Sequence, residues 1–335
     1  MELPHPEVPL LAVRDLQVNF HTNAGTLRAV DGVSFEIHRS ETLGLVGESG
    51  CGKSVTAFSI LRLIPQPPGE YAGGQILFLG ESLLEGSERQ MRDFRGNQIS
   101  MIFQDPLDSL NPILTIGEQI VEVGLQHRRV SKRAARDLAI EMLRQVGIPS
   151  PEARFDAYPH QLSGGMIQRA MIAMSLMCRP QLLIADEPTT AVDVTIQAQI
   201  LDLLAELQRE FHMAILLITH DLAVVAETCD RVAVMYAGRI VESASTGDLF
   251  GRPMHPYTQG LFRSLPSASK GLEPIPVIPG SLPNPLDIPP GCRFRARCFM
   301  AKEICATDPA YREIAPNHFA ACHFAEEVGA PGAAL

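Results

Sequence analysis

Short apolar runs alternate with longer amphipathic stretches along most of the chain. The almost wholly apolar runs, typical of strands buried on both faces of a sheet, are residues 42–46, 182–185 and 215–218. Residues 11–20 and 32–38 mix Val, Phe and Ile with polar residues, which indicates two strands, and the polar segment 21–26 predicts the turn between them. Further strands are predicted at residues 75–79, 99–103, 231–236 and 239–241.

Stretches of helical length separate these strands. Helices are predicted at residues 55–63, 116–126, 131–146, 163–178, 195–210 and 248–265, the last in two pieces broken at Pro253 and Pro256. After Ser267, prolines and then cysteines become frequent, which indicates a stiff connector followed by a small tail. The pattern therefore predicts a mixed α/β protein with a separate C-terminal region.

A glycine-rich stretch lies between the strand at 42–46 and the helix at 55–63. It fits the phosphate-binding pattern G-x-x-x-x-G-K-[ST], in which glycines and a helix start bring backbone N–H groups to phosphates. Lys53 can reach the β- and γ-phosphates, and the Ser54 hydroxyl can hold Mg²⁺. A chance glycine turn is the alternative, and the strand and helix on either side disfavour it. The predicted nucleotide-binding residues of this stretch are Gly47, Glu48, Ser49, Gly50, Cys51, Gly52, Lys53, Ser54 and Val55.

Two carboxylates follow the apolar strand at 182–185. Ligands bind at this end of parallel strands. Asp186 is placed to bind Mg²⁺, directly or through water, and Glu187 is placed to polarise an attacking water. Two solvated acids at a strand end are the alternative, and the phosphate-binding pattern in the same chain favours the catalytic interpretation.

A third motif, Ser163-Gly164-Gly165, precedes a predicted helix. Ser163 fits an N-cap, and the glycines leave N–H groups open to an anion. By itself this motif is an ordinary capped helix start. Its position between the phosphate-binding stretch and the paired carboxylates gives it a candidate role in nucleotide binding.

Together these motifs resemble the nucleotide-binding subunits of ABC transporters. The six motifs of that family occur here in family order: residues 47–54, Gln104, residues 163–165, residues 186–187, Asp193 and His220. The resemblance implies that Gln104 contacts Mg²⁺ or the attacking water and senses a membrane partner. It also implies that His220 contacts the γ-phosphate and holds the catalytic geometry.

Three positions qualify the resemblance. Met166 stands where many members have Gln, and Val192 stands where Leu is usual. Phe20 corresponds to the aromatic residue that stacks on adenine, with a plain core role as the alternative.

A narrower resemblance is to the ATPase subunits of dipeptide and oligopeptide importers, in the peptide/nickel/opine group. It rests on the stretches 103–106, 109–112, 158–161, 185–190 and 255–257, and on residues 291–294, 297–298, 305 and 322–323 of the tail. It covers about residues 11–323. The resemblance implies an ABC ATPase domain over residues 1–266, with an antiparallel β subdomain and a helical subdomain at about 112–178. Residues 267–335 then form the proline-rich connector and the cysteine-rich, metal-binding domain.

The same resemblance implies a working assembly. Two ATPase subunits sandwich ATP, so Ser163, Gly164 and Gly165 of one serve the nucleotide of the other. The expected partners are a paralogous second ATPase subunit, two membrane-spanning permease subunits and an external peptide-binding protein. The chain would work at the cytoplasmic face of the cell membrane, with nickel, opines or glutathione as alternative cargo.

Four of the seven cysteines lie after residue 290. They are Cys292, Cys298, Cys305 and Cys322. In a cytosolic chain such a cluster indicates metal more than disulfides, and the spacing does not match the two-residue gap of zinc knuckles. A [4Fe–4S] cluster, a tetrahedral zinc and free thiols are the possibilities. Some peptide-importer ATPases carry an iron–sulfur cluster here, so the resemblance favours [4Fe–4S]. His318 and His323 are alternative ligands with a simpler structural interpretation.

Charge, composition and the residues present disfavour several other classes of protein. The net charge of −10 disfavours a general nucleic-acid binder, and a soluble ABC protein acting on nucleic acid or ribosomes would usually carry two cassettes or basic arms. The N-terminal residues do not resemble a secretory signal, and no apolar run approaches membrane-spanning length, so we expect a cytosolic protein. A regulatory iron–sulfur module with an inactive ATPase is disfavoured because Lys53, Glu187 and His220 are all present.

Overall fold

A computed structural model describes residues 8–190, 193–264 and 277–329. Its strands are β1 (Leu11–Thr22), β2 (Gly25–Ile37), β3 (Thr42–Val46), β4 (Gly69–Phe78), β5 (Glu81–Ser82), β6 (Ile99–Ile102), β7 (Leu182–Asp186), β8 (Ala214–Thr219), β9 (Arg231–Tyr236), β10 (Arg239–Ser245), β11 (Arg312–Ala315) and β12 (His318–Ala320). Its α-helices are α1 (Lys53–Ile60), α2 (Glu88–Phe94), α3 (Pro106–Ser109), α4 (Ile116–His127), α5 (Lys132–Gln145), α6 (Pro151–Phe155), α7 (Gly164–Leu176), α8 (Val194–Phe211), α9 (Leu222–Thr228), α10 (Thr246–Gly251), α11 (Pro256–Arg263) and α12 (Ala325–Val328).

The chain divides into two compact units. The first contains the described residues within 1–37, 42–84 and 219–335, and the second contains residues 38–41 and the described residues within 85–218. Some sequence predictions fall partly outside the described residues. They are the N-terminal segment, the Asp loop at Val192, the last residue of the helix predicted at 248–265, the first part of the proline-rich connector and the last residues of the C-terminal domain.

The first unit contains an antiparallel sheet with strand order β2-β1-β4-β5. The turn predicted at residues 21–26 is too long, because β1 and β2 remain paired as far as Thr22 and Gly25. The residues near this end of the hairpin are mostly exposed and polar, so they form a strand without an apolar pattern to reveal it. The buried side of β1 includes Leu11, Val13 and Leu16.

The first unit also contains β3, which pairs in parallel with β9, and β9 in turn pairs with β10. The C-terminal segment adds β12 and β11 to this sheet, beginning at the pairing of Glu242 with Ala320. The Glu242 side chain is fully buried and accepts hydrogen bonds from the backbone N–H groups of Met254 and His255 at 2.6 and 2.9 Å. It also pairs with His318 Nε2 at 2.7 Å. The cysteine-rich segment is therefore tied to the sheet through its backbone and through a buried polar group.

The second unit contains the parallel strands β6, β7 and β8 in that order, and every residue of β7 and β8 is buried. This burial confirms the prediction of central strands from apolar runs. Helices α4, α5, α6 and α7 pack against one another in the same unit, within the range predicted to be helical. Across the residues that the structure describes, no helix is long and apolar enough to cross a membrane.

Candidate active site

The glycine-rich loop joins β3 to α1 in the first unit. Two of its glycines are sterically required. A Cβ on Gly47 would lie 2.2 Å from the Met235 carbonyl oxygen, and one on Gly52 would lie 2.5 Å from the Ala29 carbonyl oxygen. Gly52 is also the N-cap of α1 and has a left-handed backbone with φ of 110°. The loop thus brings unobstructed backbone to the start of a helix, the geometry that favours phosphate binding.

Lys53, the first residue of α1, is buried beneath this loop. Its Nζ donates hydrogen bonds to the carbonyl oxygens of Gly47 at 2.8 Å and Glu48 at 3.1 Å. A buried ammonium requires such partners, because an uncompensated charge would be costly. These bonds hold the lysine charge at the loop, where phosphates would approach.

Glu48 of the loop is held through both its backbone and its side chain. Its backbone N–H donates to the Tyr257 hydroxyl at 2.9 Å. Its carboxylate pairs with Arg297 through two hydrogen bonds, of 2.9 and 3.0 Å. The sequence did not predict a role for Tyr257 or Arg297, because nothing in their local sequence indicates a contact with the loop.

The paired carboxylates lie at the end of β7 in the second unit. Asp186 is the last residue of the strand and is buried. Glu187 follows with a left-handed backbone, φ 47°, which is uncommon for a residue with a side chain and occurs often at functional sites. Its N–H donates to the Ile218 carbonyl oxygen at 2.9 Å, which fixes the turn at this strand end.

The Glu187 carboxylate accepts hydrogen bonds from side chains of the second unit. Gln104 Nε2 donates to Glu187 Oε2 at 3.1 Å, and the Thr190 hydroxyl donates to the same oxygen at 2.9 Å. Gln168 of α7 donates to the Pro188 carbonyl oxygen at 2.6 Å and so holds the chain just beyond Glu187. The structure brings Gln104 and Glu187 together and adds Thr190 and Gln168, which the local sequence did not indicate as site residues.

The signature motif forms the start of α7 in the second unit. Ser163 is the N-cap and is exposed, yet among the described residues its side chain accepts no capping hydrogen bond. A Cβ on Gly164 would meet no described atom within 4 Å, whereas one on Gly165 would lie 3.2 Å from Ile196. The helix start therefore leaves a hydroxyl and backbone N–H groups facing outward.

The remaining predicted site residues are His220, Asp193 and Phe20, which lie after a strand, at a helix N-cap and on a strand, respectively. Exposed His220 directly follows β8, and Asp221 caps α9 by accepting from the N–H of Ala223 at 2.9 Å. Asp193 caps α8 by accepting from two backbone N–H groups at 3.0 Å. Phe20 is partly exposed on β1, with its ring near Gly69 of β4.

Comparison with known proteins gives two family matches. The family described as ABC transporter matches residues 30–190, and the family described as oligopeptide/dipeptide transporter, C-terminal region, matches residues 241–305. A probable peptide ABC transporter ATP-binding protein of Sinorhizobium fredii is 55% identical over 321 residues, 95% of this chain and 96% of that protein. The oligopeptide transport ATP-binding protein OppD of Escherichia coli is 49% identical over 313 residues, 93% of this chain and 92% of that protein.

The chain belongs to the ATP-binding subunits of ABC transporters. ABC ATPases hydrolyse ATP, so this chain is an ATPase with ATP as its substrate. Its fold agrees with the dimeric structure of MJ0796, a bacterial ABC transporter cassette, at a TM-score of 0.63 and 24% identity, over 70% of this chain and 98% of that one. The antiparallel β subdomain and the helices predicted for an ABC cassette are thus confirmed.

The cysteine-rich segment of this ABC ATPase lies in the first unit. Cys292, Cys298, Cys305 and Cys322 line one small cavity, together with apolar side chains such as Phe294 and Met300. Within the described ranges, no three His, Cys, Asp or Glu side chains are arranged as a ready metal-binding group. Burial raises the pKa of Cys298 to about 11 and that of Cys322 to about 12. A metal bound here would therefore have to displace protons from thiols.

Proposed function

We propose that this ATPase powers the uptake of dipeptides and oligopeptides through a membrane channel made by other subunits. The proposed catalytic assignment rests on the carboxylate of Glu187, which Gln104 and Thr190 contact at the end of a buried strand. The proposal for peptide cargo is supported by the match of residues 241–305 to the C-terminal region of oligopeptide/dipeptide transporters. It is also supported by relatives that are named as oligopeptide and dipeptide transport proteins.

In the proposed reaction, the residues around the phosphate-binding loop bind ATP, and Glu187, His220 and Gln104 act in its hydrolysis. The loop at 47–54, with its Lys53, binds the phosphates of ATP. Val55 continues this binding stretch into α1. Phe20 stacks on the adenine ring. Glu187 accepts a proton from the attacking water, and His220 stabilises the charge that develops on the γ-phosphate. Gln104 orients both Glu187 and the water.

Magnesium is the expected metal of this reaction. The Ser54 hydroxyl of the first unit, and the Gln104 amide oxygen and Asp186 carboxylate of the second, are each hard oxygen ligands of the kind that Mg²⁺ prefers. The chemistry of each donor therefore suits the ion. When bound, Mg²⁺ neutralises charge on the β- and γ-phosphates. Asp186 is nearly fully buried, which would keep its carboxylate fixed at the strand end.

The nucleotide site is proposed to be shared between two ATPase subunits. Support comes from the exposed start of α7, where the Ser163 side chain makes no capping hydrogen bond among the described residues. The first N–H groups of a helix have no partner within the helix, so those of this motif can serve an external phosphate. These groups would bind the γ-phosphate held by the loop of a second, paralogous subunit. The pair would sit on the cytoplasmic face of the membrane with two permease subunits, and an external protein would deliver the peptide.

Comparing the isolated chain with the assembled complex tests this arrangement. We expect slow ATP hydrolysis by the chain alone and a rate at least about ten-fold higher with the second ATPase and the permeases, because each site lacks a signature motif until a partner supplies one. Added peptide with its binding protein should raise the rate further, and nickel should not. Full activity from a proven monomer would contradict a shared site, and stimulation by nickel alone would contradict the peptide assignment.

We also propose that the cysteine cluster holds a [4Fe–4S] cluster, with zinc as the alternative metal. The donor chemistry suits such a cluster, because four soft sulfur ligands line a single cavity. The thiols are not arranged as a ready metal-binding group within the described residues, so binding would have to draw them together. A cluster here would stabilise a segment with few buried apolar residues of its own. Within its described residues, those are Phe294, Cys305, Ala320, Cys322, Ala325 and Val328.

Metal analysis of protein purified without oxygen or chelator tests this assignment. We expect about four iron and four sulfide per chain, with loss of both in the Cys305→Ser variant. Cys178→Ser, which changes a cysteine outside the cluster, is the matched control and should keep the metal. Stoichiometric zinc without sulfide would show the alternative metal, and no bound metal would leave the cysteines as ordinary thiols.

A further inference from the structure

We propose that Arg297 is a positioning residue for ATP binding, acting on the phosphate-binding loop through Glu48. The inference rests on the nucleotide site proposed for residues 47–54. Arg297 lies 249 positions from Glu48 in the chain, next to the cysteine cluster. The C-terminal segment would then contribute directly to the affinity for ATP.

The first observation is the geometry of the pair. Two nitrogens of the Arg297 guanidinium donate to the two carboxylate oxygens of Glu48, at 2.9 and 3.0 Å. Only 6% of the Arg297 side chain and 28% of the Glu48 side chain are exposed. A two-point pair of this kind fixes orientation as well as distance, and its burial reduces screening by water and salt. It therefore restrains the loop far more than a surface ion pair would.

The second observation is that Glu48 is held through all three of its polar groups. Besides the carboxylate, its N–H donates to the Tyr257 hydroxyl at 2.9 Å and its carbonyl oxygen accepts from Lys53 at 3.1 Å. The residue that Arg297 holds therefore also holds Lys53, the predicted phosphate ligand. Movement of Glu48 would displace both the loop backbone and the lysine charge.

The third observation is that Arg297 is itself anchored. Its Nε donates to the Pro279 carbonyl oxygen at 2.8 Å, and its guanidinium carbon lies 5.8 Å from the Tyr236 ring centre. Tyr236 packs edge-on against Tyr257 and Phe294, with ring centres 4.7 and 5.3 Å apart. The arginine thus extends from a packed aromatic cluster, which gives the loop a fixed reference point.

These contacts matter for binding because ATP requires several loop N–H groups to converge on its phosphates. A loop already held in that shape loses less conformational freedom when the nucleotide binds. Removing the anchor should therefore weaken ATP binding without altering the chemical step. In kinetic terms, KM for ATP rises while kcat changes little.

Arg293 provides a matched control. It is as buried as Arg297, with 7% of its side chain exposed, and it also ties the C-terminal segment to the ATPase core. Its partners are Asp31 and the Ala237 carbonyl oxygen, neither of which belongs to the phosphate-binding loop. Arg293→Gln therefore removes a comparable attachment and leaves the Glu48 pair in place.

The experiment measures ATP affinity and ATPase kinetics in the assembled complex, together with the melting temperature of each variant. We expect Arg297→Gln to weaken ATP binding about ten-fold, or about 1.4 kcal/mol, and Arg297→Lys to give an intermediate loss. Glu48→Gln should have an effect similar to Arg297→Gln, and the double variant should be no weaker than either single one. Arg293→Gln should lower the melting temperature and leave ATP affinity within about two-fold of the unmodified chain.

Lys53→Ala separates failure of this inference from failure of the proposed nucleotide site. If Lys53→Ala weakens ATP binding and Arg297→Gln does not, the positioning role is wrong and the site stands. If neither variant weakens ATP binding, both the positioning role and the proposed nucleotide site are wrong. Equal losses of ATP affinity in Arg297→Gln and Arg293→Gln would also overturn the inference. Such losses would be explained by weaker attachment of the C-terminal segment, without any specific effect of the Glu48 pair. Should Arg297→Gln fail to fold, unchanged affinity in Arg297→Lys and Glu48→Gln would overturn it.

Discussion

ATP turnover should fall by about 10²–10⁴-fold in the Glu187→Gln variant, while ATP binding is retained. Glutamine keeps the size of the side chain and can still contact Gln104 and Thr190, but it cannot accept a proton from water. No phosphate contact depends on this carboxylate in the proposed mechanism. The two ATPase subunits should therefore close on ATP and remain closed.

Single-turnover hydrolysis and nucleotide binding in the complete complex measure the two effects separately. Glu206→Gln is the matched control, because it makes the same chemical change at an exposed position of α8 and should leave turnover unchanged. Turnover near that of the unmodified complex in Glu187→Gln would contradict the assignment of the general base. Loss of ATP binding in this variant would show that Glu187 holds the nucleotide instead.

ATP affinity should fall by about 10–100-fold in the Lys53→Ala variant, because a charge-assisted hydrogen bond to phosphate contributes about 1.5–3 kcal/mol. The side chain is buried and donates to the carbonyl oxygens of Gly47 and Glu48, so its loss also removes two contacts that shape the loop. The loss of the phosphate contact and the loss of the loop contacts both lower the affinity for ATP.

Direct binding of a non-hydrolysable ATP analogue measures this loss. Lys132→Ala, at the exposed start of α5, removes the same charge elsewhere and should leave affinity unchanged. The melting temperature of each variant without nucleotide separates loss of affinity from loss of folding. Unchanged affinity in a folded Lys53→Ala protein would count against the phosphate-binding role of the loop.

The strands that carry the candidate site were predictable because they are apolar on both faces. The run at 182–185 indicated a buried strand with Asp186 and Glu187 at its end, and β7 has this form. The conformation of Glu187 was not predictable, since its left-handed backbone occurs together with a hydrogen bond to Ile218 of the neighbouring strand, a contact that no local pattern indicates. The assigned roles of the site residues stay predictions.

The C-terminal segment shows where local patterns fail. Strands β11 and β12 are short and partly exposed, and the second is ordered by pairing with β10 and by the contact of His318 with Glu242, 76 positions away. Contacts between such distant residues leave no local periodicity. Helix α2 was missed for a different reason. It is mostly polar, although the capping box formed by Ser87 and Gln90 is a sequence signal that could have revealed it.

The most direct test of the account is ATP-driven peptide uptake by vesicles that contain the complete complex. ATP is supplied on the side where the ATPase lies, and labelled dipeptides and oligopeptides with their binding protein are supplied on the other. We predict that peptide accumulates with the unmodified chain and that accumulation is abolished by Glu187→Gln. Hydrolysis of ATP with no peptide accumulation, or accumulation that persists in Glu187→Gln, would contradict the account.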